Sequence, residues 1–157
     1  MDRAFIHGLE GSSQGTKATF FRKKYPDMII EDYVGALSER MDTLNKILFD
    51  KKDLILVGSS YGGLMSTIYA CSNEKKVKKL ILLAPALGFP EYKFNLNEKL
   101  VIPVTIYHGL YDDVVPWKPV QEVALTLFEN LSFNTVDDDH SLYKTFHSLD
   151  WDEMLNL

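Results

Sequence analysis

Five short apolar segments alternate with segments of helical pattern, and this alternation limits the possible folds more than any other feature of the chain. The apolar segments are rich in Ile, Leu and Val and end in glycine, proline or a polar residue. Such runs are typical of strands buried on both faces, as in a parallel sheet covered by helices. A sixth strand, with less regular patterning, is predicted at 132–136. The five apolar segments are 4–7, 28–31, 54–58, 80–84 and 104–108.

The intervening segments carry apolar residues at helical spacing. Ser38 is predicted to cap a helix whose apolar stripe includes Met41 and Leu44. A second helix is predicted over 62–71, and a third is predicted to have Pro119 in its first turn. Alternating strands and helices imply right-handed crossovers. We therefore expect an α/β fold with three layers: a doubly wound, mostly parallel sheet with helices on both faces.

Length and charge narrow the functional class. The chain has 157 residues, and its 17 Lys and Arg against 22 Asp and Glu leave a formal net charge of −5. This length predicts a single domain over residues 1–157, large enough to fold without a metal or a disulfide. The negative charge disfavours nucleic acid and anionic membranes as partners. Early charged residues predict no signal peptide and no apolar run reaches the roughly 18 residues of a membrane span, so we expect a cytoplasmic protein.

The third apolar run leads directly into the strongest chemical motif. It is followed by the sequence GSSYGG and then by a helical pattern, which is G-x-S-x-G in the strand–turn–helix setting of a nucleophile elbow. A nucleophilic serine on such a strained turn needs small residues two positions away on either side. Only Ser60, and not Ser59, has both, in Gly58 and Gly62. The N–H of Tyr61, at the start of the next helix, is predicted to face a developing oxyanion.

A carboxylate and a histidine follow the last two predicted strands. Asp112 and Asp113 come after the fifth apolar run, and either one could accept a hydrogen bond from a histidine Nδ1. Periodicity does not choose between them. His140 follows the sixth predicted strand. The order serine, aspartate, histidine is one of the known chain orders of the Ser-His-Asp triad, which makes His140 the predicted general base for Ser60.

The remaining histidines and the acidic cluster are predicted to be structural. His7 and His108 each end a predicted strand and precede a glycine, so a hydrogen bond to nearby backbone is expected for both. His147 is expected on the surface of a C-terminal helix. The acidic cluster 137–139 lacks the spacing and the glycine of a calcium loop and is predicted to be a solvated turn. We expect no metal and no organic cofactor.

The opening of the chain makes the pattern more specific. The first apolar run leads into HGLEGSS and then, after one residue, into GTKA. Together with GSSYGG, the Asp112 loop and His140, this opening resembles the α/β-hydrolase superfamily, and within it the small, lidless bacterial esterases of the YqiA type. The resemblance spans almost the whole chain.

This resemblance implies a minimal α/β-hydrolase fold without a cap domain. It implies that Leu9 supplies the second oxyanion N–H beside that of Tyr61. It also implies, through the superfamily loop H-G-x-x-D-x-x-V-P, that Asp112 is the triad acid, with Asp113 facing solvent or capping the next turn. Tyr61 stands where relatives commonly have Leu or Met, so their substrate preference is not carried over.

The predicted function is that of a serine hydrolase that cleaves small carboxylic esters through an acyl-enzyme on Ser60. The same triad could serve a thioesterase or an amidase, and the fold alone would also admit a non-catalytic interaction module. Larger relatives carry a lid inserted after the fourth apolar segment, and this chain has only residues 86–103 in that place. This predicts a shallow, solvent-accessible pocket and a preference for short acyl groups.

Overall fold

The computed structural model describes residues 1–90 and 92–156. These residues form six strands and six α-helices, with one 3₁₀ turn at Glu74–Lys76. Strands and helices alternate except that β5 follows β4 directly and α6 follows α5 directly. The strands are β1 (Arg3–Ile6), β2 (Ile29–Ile30), β3 (Leu54–Ser59), β4 (Val77–Leu83), β5 (Val104–Gly109) and β6 (Leu131–Val136). The helices are α1 (Thr16–Lys24), α2 (Leu37–Ile47), α3 (Tyr61–Asn73), α4 (Trp117–Leu127), α5 (Tyr143–Ser148) and α6 (Trp151–Met154).

The strands form one sheet in the order β2-β1-β3-β4-β5-β6, and every pair is parallel. The predicted fold class is therefore confirmed, including the sixth strand. Two strands differ in length from the prediction by two residues, and the others by one residue at most. β2 keeps only Ile29 and Ile30, because it lies at the sheet edge and pairs with β1 alone. β4 begins earlier than predicted, at Val77, where it pairs with Leu54 of β3.

Alternate side chains of the strands contribute to two separate cores. Ala4 and Ile6 of β1 lie in one core with buried residues of α2, α3 and α4. Phe5 lies in the other, with buried residues of α1, α5 and α6. Successive strand side chains point to opposite faces, so the continuous apolar runs bury both faces of the sheet and produce the three layers.

The strand order reverses beside β1, which has β2 on one side and β3 on the other. The loops that leave β1 and β3 therefore separate at the carboxyl edge of the sheet. In open α/β sheets this is where a crevice forms and where ligands bind. Each residue predicted for catalysis either lies in a loop at this edge or is the first residue of the helix that follows such a loop.

The predicted cap of α2 is wrong by two residues. The N-cap is Ala36 rather than Ser38, which lies inside the helix. The Glu39 carboxylate accepts the Ala36 N–H at 3.3 Å and so satisfies this backbone donor in place of a serine hydroxyl. Pro119 lies in the first turn of α4, as predicted.

The chain between β4 and β5 is short and irregular. Its described residues, 84–90 and 92–103, contain no helix, in keeping with the expected absence of a cap domain. Within the described part of the chain, every helix is too short or too polar to cross a bilayer.

Candidate active site

Ser60 stands on a strained turn between β3 and α3. Its backbone has φ 55° and ψ −116°, a region that non-glycine residues rarely adopt. Gly58 and Gly62 make this turn possible. A Cβ on Gly58 would lie 2.5 Å from the Gly62 carbonyl oxygen, and one on Gly62 would overlap the carbonyl oxygen of Ile6 and lie 2.6 Å from that of His7. The two glycines thus serve the steric role that the motif predicts.

Hydrogen bonds from the end of β4 hold the turn in place. The Ser60 N–H donates to the Leu83 carbonyl at 2.9 Å, and the Ser60 carbonyl accepts the Ala86 N–H at 2.9 Å. The same carbonyl accepts the N–H of Gly63 at 2.9 Å. These hydrogen bonds stabilise the strained backbone conformation of Ser60, as is typical of functional turns.

Gly62→Ala is expected to destabilise the fold by about 3 kcal/mol or more, because its methyl group would overlap the Ile6 carbonyl and force β1 and α3 apart. Urea denaturation followed by circular dichroism measures this change in the free energy of unfolding. Gly15→Ala is the matched control. Its Cβ would meet no atom closer than 3.4 Å, so we expect a loss of less than about 1 kcal/mol. Equal stability of the two variants would contradict the steric role of Gly62.

Three polar side chains form a continuous chain of contacts at the carboxyl edge. The Ser60 Oγ lies 3.1 Å from His140 Nε2, and His140 Nδ1 lies 2.7 Å from Asp112 Oδ2. The Asp112 side chain has no exposed surface and that of His140 is 25% exposed. A carboxylate can only accept, so Nδ1 carries the proton and Nε2 is free to accept from the serine. Asp113 is exposed to solvent.

Both side-chain oxygens of Asp112 have polar partners. Oδ1 accepts the N–H groups of Val114 at 3.0 Å and Val115 at 2.7 Å, while Oδ2 faces His140. His108 Nε2 donates to the Val115 carbonyl at 2.6 Å and lies 3.3 Å from Asp112 Oδ2. The backbone contact of His108 was predicted, but its contact with Asp112 was not. Burial lowers the pKa of His108, which favours the neutral ring beside the carboxylate.

The turn after β1 lies against the elbow. The Gly11 N–H donates to the Gly8 carbonyl at 3.1 Å, which places Leu9 at the tip of the turn. A Cβ on Gly8 would lie 3.1 Å from Ser60 Cβ and 3.6 Å from the Tyr61 nitrogen, so any larger residue here would crowd the elbow. Tyr61 opens α3, where the helix dipole favours negative charge. Leu9, Ser60 and Tyr61 line the same cleft.

The other predicted structural residues have polar contacts of their own. His7 Nδ1 donates to the Gly8 carbonyl at 2.7 Å, and its Nε2 accepts the Tyr33 N–H at 3.0 Å. His147 is exposed on α5. Asp138 departs from a purely solvated turn, because it accepts two hydrogen bonds from Thr145. Among the described residues no group of three or more His, Cys, Asp or Glu side chains could hold a metal ion.

A cleft of about 370 Å³ opens beside Ser60 and His140. Leu9, Phe89 and Val114 form apolar parts of its wall, and Lys17 contributes a charged part. Leu9 and Val114 are 53% and 58% exposed. The cleft is therefore open to solvent and partly apolar next to the candidate nucleophile.

Several solved structures share this fold at low sequence identity. Alpha/beta hydrolase domain-containing protein 10 from mouse superposes with a TM-score of 0.79 at 20% identity, over 99% of this chain and 90% of that one. A structure of Est1E from Butyrivibrio proteoclasticus with ferulic acid bound gives 0.76 at 20% identity, over 98% and 87%. A marine microorganism esterase gives 0.78 at 13% identity, over 98% and 94%.

A sequence comparison with curated proteins finds no match. Residues 8–151 match the family described as alpha/beta hydrolase fold. This match covers the turn after β1, the elbow, the Asp112 loop and His140, and it agrees with the parallel sheet and with the structural neighbours. The chain belongs to the alpha/beta hydrolase family.

Proposed function

We propose that this protein is a serine hydrolase that cleaves small carboxylic esters through an acyl-enzyme on Ser60. The observation that carries the proposal is the chain of contacts from Ser60 Oγ to His140 at 3.1 Å and from His140 to the buried carboxylate of Asp112 at 2.7 Å. A serine on a strained elbow, a histidine within reach of its proton and a carboxylate behind that histidine are the parts of a nucleophilic triad.

In the first half of the reaction, His140 Nε2 takes the proton from Ser60 as Oγ attacks the ester carbonyl carbon. Asp112 stabilises the imidazolium that results. The carbonyl oxygen becomes an oxyanion, which accepts hydrogen bonds from the N–H groups of Leu9 and Tyr61. Losing one such donor typically costs about 3–4 kcal/mol of transition-state stabilisation.

The oxyanion then collapses, the carbon–oxygen bond to the alcohol breaks, and the acyl-enzyme remains. His140 gives its proton to the departing alkoxide, so a neutral alcohol leaves. Water then enters, His140 takes a proton from it, and the hydroxide attacks the acyl-enzyme. Collapse of this second intermediate releases the carboxylic acid and returns the proton to Ser60.

The open shape of the cleft favours substrates with short acyl groups over those with long ones. Its wall offers Leu9, Phe89 and Val114 as apolar contacts, but no helix among the described residues between β4 and β5 covers it. A long acyl chain would therefore remain largely in water and gain little binding energy from burial. One of the structures with this fold is described as an esterase, which agrees with ester hydrolysis on such a scaffold.

We expect kcat/KM for p-nitrophenyl butyrate to exceed that for the dodecanoate by about tenfold or more, because most of the longer chain finds no apolar surface to bury. Turnover of purified enzyme on a series of p-nitrophenyl esters, kept below their critical micelle concentrations, measures this ratio. Faster hydrolysis of the dodecanoate would contradict the short-chain preference.

The same series separates the alternatives when it includes butyryl-CoA and the anilide of butyric acid. Faster turnover of butyryl-CoA would favour a thioesterase, and turnover of the anilide at a comparable rate would favour an amidase, whose leaving amine must be protonated. No turnover of any of these substrates would favour a non-catalytic module on the same fold.

A further inference from the structure

The loop that carries His140 is held on one side by the acid loop. The Asp138 carbonyl, two residues before His140, accepts the Tyr111 N–H at 3.1 Å. This bond ties the loop to the segment that contains Asp112. It acts only before His140 in the chain, so a polar contact directly after His140 would add a second restraint on the ring.

Lys17 provides an attachment on the other side. Its Nζ donates to the Ser141 carbonyl, directly after His140, at 2.6 Å. The other described hydrogen bonds of Ser141, to Asp139 and Tyr143, stay within a few residues along the chain. Among the described residues, the bond to Lys17 is therefore the one that joins Ser141 to a distant element.

Lys17 is well placed to act as a fixed anchor. It lies in the first turn of α1, just after the loop that carries Leu9. Its Nζ lies 5.7 Å from the centre of the buried Phe146 ring, which adds a cation–π contact. Burial lowers the pKa of Lys17, and the negative charges of Asp138 and Asp139 partly offset this effect. The ammonium therefore faces the acidic loop that carries His140.

We propose that Lys17 is a positioning residue, whose bond to the Ser141 carbonyl holds His140 at the distance from Ser60 that proton transfer requires. This inference rests on the proposed hydrolase function. Two anchors on opposite sides of His140, Asp138 and Ser141, restrain the ring better than either alone. A displacement of about 1 Å at a reacting group can cost about 100-fold in rate.

Lys17→Met removes the donor and keeps most of the side chain. We expect kcat for p-nitrophenyl butyrate to fall by about 10- to 100-fold because proton transfer depends on the position of His140. Lys17 also lines the cleft, and any change in KM that results from this is expected to be smaller than the change in kcat. Lys23→Met is the matched control on the exposed surface of α1, with both constants expected near those of wild type. A kcat within twofold of wild type, a loss confined to KM, or unfolding of Lys17→Met at the assay temperature would overturn the inference.

Chemical rescue separates a lost hydrogen bond from lost packing. Propylammonium should restore kcat of Lys17→Ala several-fold, because it replaces the missing methylenes and the N–H donors. Tetramethylammonium has the same charge but no N–H and should not restore it. The kcat of the wild-type enzyme is measured with each cation as well, to correct for direct attack of propylamine on the acyl-enzyme. No rescue by propylammonium, or equal rescue by both cations, would overturn the positioning role.

Ser60→Ala is assayed in parallel to keep two failures apart. If Ser60→Ala keeps full activity, the proposed hydrolase function is wrong. If Ser60→Ala is inactive while Lys17→Met behaves as wild type, only the role of Lys17 is wrong.

Discussion

Ser60→Ala is expected to lower kcat for ester hydrolysis on the order of 10⁶-fold while the protein stays folded. The reason is that Oγ forms the acyl bond, and without it neither His140 nor the oxyanion donors can support a covalent intermediate. Turnover of p-nitrophenyl butyrate gives the loss in rate. Labelling with a fluorophosphonate, followed by intact mass, reports whether a single serine is modified.

Ser59→Ala is the matched control for this prediction, since it removes a hydroxyl from the neighbouring residue of the same turn. Ser59 does not have glycines two positions away on either side. The hydrogen bond with His140 is formed by Ser60 and not by Ser59. We expect Ser59→Ala to keep most of the activity and to be labelled by the fluorophosphonate. Equal labelling of wild type and Ser60→Ala would show that the nucleophile lies elsewhere.

Asp112→Asn is expected to lower kcat by about 10⁴-fold with little change in fold. The amide oxygen can still accept the N–H groups of Val114 and Val115, so the loop after β5 keeps its shape. The amide nitrogen would then face His140 Nδ1 and, being a donor, would favour the wrong tautomer of the ring. Steady-state kinetics with p-nitrophenyl butyrate measures the loss, and thermal unfolding checks the fold.

Asp113→Asn makes the same chemical change one residue away, on an exposed side chain. It is expected to leave kcat within about twofold of wild type, as is usual for an exposed group outside a contact network. A large loss in Asp113→Asn together with normal activity of Asp112→Asn would mean that the assignment of the acid is wrong.

Much of the fold could be predicted from local patterns. Apolar runs and helical spacing are encoded over a few residues, so the parallel sheet and its flanking helices followed from them. Element ends were less predictable. β2 is shortened because it pairs on one side only, and α2 begins before Ser38 because the Glu39 carboxylate supplies the cap contact. Both depend on neighbours that the local pattern does not specify.

The candidate site was predictable to a different degree at each position. Ser60 follows from two glycines within its own turn, which is a local requirement. The choice of Asp112 over Asp113 came from the resemblance to the superfamily. In the structure, Asp112 contacts His140 and Asp113 is exposed. The contact of His108 with Asp112 was missed, although the spacing of four residues from the end of β5 to the loop that follows could have suggested it.

The sequence by itself determined which residues can do chemistry, because the elbow glycines, the strand ends and the order of serine, aspartate and histidine are properties of the chain. Only the tertiary structure decided how they are held. The bond between Lys17 and Ser141 joins residues 124 positions apart, and the distance from Ser60 to His140 depends on how two loops meet at the sheet edge. Such contacts depend on the packing of separate elements, for which no local pattern carries a signal.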